Sequence, residues 1–195
     1  MASINGITLK SVKMFRGHEG EPCYQGNVYI GTKKIGFWSQ DSWGAVCDNF
    51  MFDRPYSERK LAKKVSELHP ECIETHIRAD GSTFTTEYSL EILFGDLLRL
   101  QDDEKAFKRV VKNGSKGLML ITDGYTQVSW GLHEQAANDT NEVLLNKFSK
   151  FIENEKKKAR FMKESEWVKH EVKIYRSLED FNIGVAVTLD DIKEN

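Results

Sequence analysis

Two short polar segments concentrate the reactive side chains of this 195-residue chain: Arg16-Gly17-His18-Glu19-Gly20-Glu21-Pro22, and Ser39-Gln40-Asp41-Ser42-Trp43-Gly44 with Asp48 shortly after. Histidine is the residue type that changes charge near neutral pH, so His18 is a candidate acid, base or switch. Glu19 and Glu21 can accept protons or ligate a hard cation, and Arg16 can hold an anion. Gly17 and Gly20 let a ligand approach the backbone closely. Asp41 and Asp48 add carboxylates on the second segment, while Trp38 and Trp43 offer flat rings of the kind that anchor a partner or stack on a planar ligand. Both segments flank one expected β-hairpin, so strand pairing would place them side by side. Arg16, His18, Glu19, Glu21, Trp38, Asp41, Trp43 and Asp48 are therefore the expected partner- or ligand-binding surface.

No complete motif turns these groups into a defined reaction. Gly31-Thr32-Lys33-Lys34-Ile35-Gly36 has the glycine spacing of a phosphate loop, but Phe37 and Trp38 stand where a lysine and a hydroxyl are needed to hold phosphate and Mg²⁺. His133-Glu134-Gln135-Ala136-Ala137 opens like a zinc-protease helix and then presents Ala137 in place of the second histidine. No serine sits in a Gly-x-Ser-x-Gly elbow. Catalytic residues, metal ligands and cofactors are accordingly assigned as none, with an acid/base site assembled in space around His18 kept as an alternative. Cys23, Cys47 and Cys72 are odd in number and far apart, which suits buried thiols better than disulfides or a zinc site. His69, His76 and His170 stand alone and receive no role. Lys105, Lys108, Arg109 and Lys112 share one face of an expected helix, a spacing that can follow a phosphate backbone. Asp102, Asp103 and Glu104 precede them, and acids followed by bases are also what a helix dipole favours.

The elements that must position these groups follow from composition and periodicity. An apolar fraction of 39%, with eleven Phe and four Trp, supports an ordered core despite 30% charged residues. A net charge of −2 excludes the broad positive field of an unspecific nucleic-acid binder. No stretch approaches the roughly 18 apolar residues of a membrane span, and the opening residues lack the pattern of a secretory leader, so a cytoplasmic protein is expected. The sequons at Asn113 and Asn138 then carry no meaning.

Alternation over Ile7 to Phe15, and over Asn27 to Ser39 around Gly31-Thr32-Lys33, predicts antiparallel strands. In the last of these Ile35 and Phe37 would face the core, leaving Trp38 on the uncovered side. Phe50 and Phe52 close this region. A helix is expected from Ser57 to His69, a hairpin over Glu71 to Tyr88, and two helical segments, one capped by Ser89 and one from Asp103. Gly117 to Thr122 reads as a central strand paired through Asp123-Gly124 with Gln127 to Leu132. A long helix from Thr140, a strand over Val172 to Tyr175 and an edge strand over Ile183 to Thr188 complete the pattern. The expected fold is α+β: antiparallel sheet with helices mainly on one face, arranged as a β-rich lobe (1–56) and a larger α+β lobe (57–195), with a single domain as the alternative.

The segment from Ile4 to Trp43, particularly Thr8-Leu9-Lys10-Ser11-Val12-Lys13, Arg16 to Gly20 and Lys33-Lys34-Ile35-Gly36, resembles uncharacterised small proteins carried by phages and mobile elements of low-GC Gram-positive bacteria. That resemblance implies an accessory role, such as inhibition of a host defence system by occupying a partner's surface. A protein partner is the leading expectation. Binding of a nucleotide-like small molecule, nucleic-acid contact through the Lys105 to Lys112 face, and acid/base catalysis at His18 are the alternatives, and no membrane partner is expected.

Overall fold

The structure, a computed structural model, describes residues 1–41, 48–78, 80–122, 127–158 and 171–194. In chain order the strands and helices of the first half are β1 (Ser3–Ile4), β2 (Ile7–Arg16), β3 (Pro22–Ile30), β4 (Lys33–Ser39), β5 (Asn49–Phe52), α1 (Glu58–Leu68), β6 (Glu74–Ile77), β7 (Thr83–Thr86) and α2 (Leu90–Lys112). There follow β8 (Gly117–Thr122), β9 (Gln127–Leu132), α3 (Glu134–Asn138), α4 (Asn141–Lys158), β10 (Glu171–Tyr175), β11 (Asn182–Ile183) and α5 (Leu189–Ile192). The α+β class expected from the sequence is observed.

The chain divides into two compact units, one of Met1–Gln101 with Asn182–Asn195, the other of Asp102–Phe181. The expected boundary after residue 56 therefore falls inside the first unit. The reason is the packing of α1, whose buried Leu61 and Val65 lie among β5 and α5, with the Ser57 N–H donating to the Ile192 carbonyl.

In the first unit six strands form a sheet in the order β11-β1-β2-β3-β4-β5. All neighbours are antiparallel except β1 and β11, which run parallel, so the sheet is mixed. Two bulges bend it. Ser11 and Val12 together oppose Gly26, with Ser11 at φ 54°, and Ile35 is an extra residue between the pairs Val28↔Gly36 and Tyr29↔Lys34. The second bulge flips the inside–outside alternation, because one inserted residue exchanges the two faces beyond it. Ile35, Gly36 and Trp38 all become buried as a result. This corrects the expectation that Trp38 faces away from the core: its indole is fully buried, 5.3 Å from the Phe94 ring of α2. Gly36 is required here, since a Cβ would sit 2.6 Å from the Met51 carbonyl and 2.9 Å from the Phe52 Cα.

Helix α2 is continuous where two segments were expected. Its apolar stripe of Leu90, Leu93, Phe94 and Leu97 serves the first unit, and Ala106 and Phe107 serve the second. Asp102, Asp103 and Glu104 are thus mid-helix rather than at a helix start, which removes the dipole explanation for the acids. Val111 of the same helix is exposed. The expected edge strand over Ile183 to Thr188 is shorter than that: β11 has two residues, and Thr188 then caps α5 through reciprocal bonds with Asp191.

The second unit holds a three-stranded antiparallel sheet, β10-β8-β9, with the apolar β8 central as expected. Met119, Leu132 and Leu144 form a core against which Phe148 and Phe151 of α4 pack. Asp103 is buried beside this sheet and accepts the Tyr175 hydroxyl at 2.8 Å, with Gln127 Nε2 at 3.3 Å and Lys173 Nζ at 3.8 Å. Its burial raises the carboxyl above its ordinary range, and the Tyr175 bond works against that.

Candidate functional site

The register of β2, β3 and β4 fixes where the two polar segments lie. Arg16 pairs with Pro22 and Gln25 with Ser39, so the β2–β3 turn and the segment leaving β4 project from the same end of the sheet. They are clasped there. Gln40 N–H donates to the Tyr24 carbonyl and Tyr24 N–H donates to Gln40 Oε1, both at 2.9 Å. The buried Cys23 thiol lies 3.8 Å from both Glu21 Oε1 and the Asp41 carbonyl, bridging the two segments. Burial and the nearby Glu21 carboxylate push that thiol above its usual range, so it is not a reactive thiolate.

The turn itself is internally braced. Arg16 Nη1 donates to the Gly20 carbonyl at 2.8 Å, Gly17 N–H to the Glu21 carbonyl at 2.9 Å, Gly20 N–H to the Gly17 carbonyl at 3.0 Å, and Glu19 N–H to Glu21 Oε2 at 2.9 Å. Gly20 takes φ +82°, a conformation that side chains resist. Arg16 and Glu21 are thereby engaged in shaping the turn, while His18 and Glu19 are exposed at its tip. Asp48 accepts the Trp38 indole N–H at 2.7 Å; burial raises its carboxyl and this bond opposes the rise. Trp38 therefore supports the site from inside instead of anchoring a partner. Trp43 lies outside the described residues.

Glu19, Glu21, Asp41 and Asp48 against Arg16 give this end of the sheet an acidic excess. It is suited to meeting a basic surface. The lysine face of α2 is partly neutralised by its own helix: Lys105 pairs with Asp102 at 2.8 Å and Lys108 with Glu104 at 2.8 Å. That leaves less charge for phosphates than the spacing alone suggested, with Arg109 and Lys112 completing the face.

Two further features of the first unit were not legible as sites. An open groove of about 440 Å³ runs along α1 and residues 87–91, lined by Phe50, Arg59, Lys63, Ser66, Glu87 and Leu90 among others. Sequence periodicity marks α1 as a surface helix but says nothing of a trough beside it. The second is a set of close ligand atoms at His69, Glu71 and Cys72. Cys72 is exposed, contrary to the expectation of a buried thiol, on a short 3-10 turn that buries none of its residues. The available signal was the run His69-Pro70-Glu71-Cys72, three donor types within four residues.

No family model, curated protein or solved structure matches the chain. Among the described residues no helix is long and apolar enough to cross a membrane.

Proposed function

We propose that this is a binding protein whose clasped loop end, Arg16 to Glu21 with Gln40, Asp41 and Asp48, occupies the basic surface of a protein partner. The observation that carries this reading is the reciprocal pairing of Tyr24 with Gln40, which presents two polar segments together. A turn held by four internal hydrogen bonds loses little further entropy on docking, which favours recognition over a merely solvated loop. An inhibitory role against a host defence system is the form of that binding implied by the sequence resemblance.

The test is tagged capture from the native host with paired variants. Glu19→Lys and Asp41→Lys should abolish capture of a basic partner, His18→Ala should weaken it, and Lys105→Glu with Lys112→Glu should leave it intact. Capture that tolerates both loop reversals would refute the assignment.

The groove beside α1 favours a second reading, sequestration of a small ligand, because its volume falls in the range of about 300–1,000 Å³ typical of ligand sites and Arg59 and Lys63 line it. Glu58, Glu87 and Glu91 line it too and disfavour a polyanion. Native mass spectrometry of freshly purified protein separates the readings: a stoichiometric small adduct lost in an Arg59→Ala variant supports sequestration.

A further inference from the structure

We propose that His69, Glu71 and Cys72 form a zinc site, built at the end of β2 remote from the recognition loops and independent of them. Helix α1 ends at His69, whose N–H still reaches the Ser66 carbonyl, and Pro70 then starts a short 3-10 turn in which Cys72 N–H donates to the His69 carbonyl at 3.1 Å. This tight turn folds the Glu71 and Cys72 side chains back toward the imidazole.

The orientation of that imidazole is set by Asn5. Asn5 is buried, sits at φ 51° in the β1–β2 turn, and its Nδ2 donates to the Val185 carbonyl at 3.0 Å. Its Oδ1 must therefore be the acceptor that faces His69 Nε2 at 2.7 Å, so Nε2 carries the proton. Stacking of the ring on Tyr88, with centroids 4.3 Å apart, holds it from another side. Nδ1 faces Glu71 Oε1, 3.3 Å away: a ring protonated there pairs with the carboxylate, and a ring without that proton offers the lone pair to a metal.

The dimensions suit a metal. Zn–N and Zn–O bonds of about 2.0–2.1 Å at a tetrahedral angle give an N···O edge of about 3.3 Å. The thiol lies 3.8 Å from Glu71 Oε1, close to the roughly 3.5 Å edge expected for Zn–O about 2.0 Å and Zn–S about 2.3 Å. All three ligand atoms lie within 4.8 Å of one another, so modest closure completes a tetrahedral face. A mixed nitrogen, oxygen and sulfur set selects zinc over magnesium or calcium, and three protein ligands leave the fourth position open. The Nε2–H to Asn5 bond is the outer support that ligating histidines ordinarily have.

The experiment is titration of the reduced full chain with Co²⁺, read by absorbance, followed by displacement with Zn²⁺ and counting of bound zinc by native mass spectrometry. The expected result is one equivalent, with tetrahedral cobalt bands and a thiolate-to-cobalt charge-transfer band. Cys72→Ser should remove the charge-transfer band, and Glu71→Gln should weaken binding at least tenfold; both side chains are exposed, so the fold should survive. Asn5→Gly, which keeps the positive φ accessible, should weaken binding about 10–100-fold with unchanged circular dichroism. Absence of stoichiometric metal, or cobalt–thiolate bands that persist in Cys72→Ser, would overturn the site.

Discussion

Replacing Trp38 by Phe separates the interior role of this indole from a role at the surface. The side chain is fully buried and donates to Asp48 Oδ2 at 2.7 Å. A hydrogen bond to an ionised acceptor contributes roughly 1.5–3 kcal/mol, and to a neutral one roughly 0.5–1.5 kcal/mol. The smaller ring also leaves a packing defect on the order of 1–2 kcal/mol, which does not depend on pH. At neutral pH the total loss is then roughly 2.5–5 kcal/mol, a fall in Tm of about 2–4 °C for each kcal/mol.

The pH dependence isolates the bond. Asp48 is raised in the folded state, chiefly by burial, so its contribution is fully present below the unfolded carboxyl pKa and is lost as pH rises through the folded value. The Trp38 N–H lowers this pKa against burial, Glu91 and Asp41, so Phe lets it climb further and widens the window of loss. Wild-type and variant stabilities should lie closer together in acid and diverge by about 1–2 kcal/mol more at neutral pH. Urea denaturation followed by far-UV circular dichroism, from about pH 3.5 to 7.5 and where both proteins are folded, measures the gap without relying on the deleted fluorophore. A constant gap, or one that grows in acid, would refute the reasoning.

Gly36→Ala should destabilise by about 1–3 kcal/mol, because its Cβ meets the Met51 carbonyl and Phe52 Cα of the β5 backbone as well as the Phe52 ring; thermal melts check this. Gly17→Ala places a Cβ 1.9 Å from Glu21 Oε1, so Glu21 must swing away from the Glu19 N–H; stability should drop by only about 0.5–1.5 kcal/mol while partner capture weakens several-fold. Thr8→Val should be neutral or stabilising by up to about 1 kcal/mol in denaturant melts, since the buried Thr8 hydroxyl has no hydrogen-bond partner among the described residues. Tyr175→Phe strips Asp103 of its shortest hydrogen bond and should cost roughly 1.5–3 kcal/mol at neutral pH, shrinking as the pH falls because Asp103 is raised by burial and binds its proton more readily.

Local pattern made much of this fold legible. The alternation of β2, the apolar run of β8 and the helical stripes of α1 and α4 each report a single element's exposure and lie at nearly the expected positions, while α2 joins what reads as two segments. What failed was phase and distance. Nothing in Lys34-Ile35-Gly36-Phe37-Trp38 announces that Ile35 is an inserted residue, so the face of Trp38 came out reversed. Asp102, Asp103 and Glu104 imitate a helix start, yet Asp103 is satisfied by Tyr175, 72 residues later in the chain. The donor set at His69 reads as an ordinary helix stop until Asn5, 64 residues away, is seen to hold its Nε2 and orient the ring.

Both proposed sites lie at ends of the same strand, and the constraints on them differ in kind. At Arg16 the strand meets a turn whose bonds are local, made within residues 16–21, so its shape is specified by a few neighbours and tolerates change in the rest of the unit. At Ile7 it meets a turn whose Asn5 receives the Val187 N–H on its carbonyl and donates its own N–H to Ile183, while its side chain holds Val185 and His69. That node closes only when residues 182–187 return to β1, and Gly184 is needed there because a Cβ would lie 2.5 Å from Asn5 Nδ2. Shortening the chain before Asn182 should therefore release the His69 imidazole and weaken Co²⁺ binding while the β2–β3 turn keeps its shape. Loss of both together would mean that the two ends of the sheet are not independent.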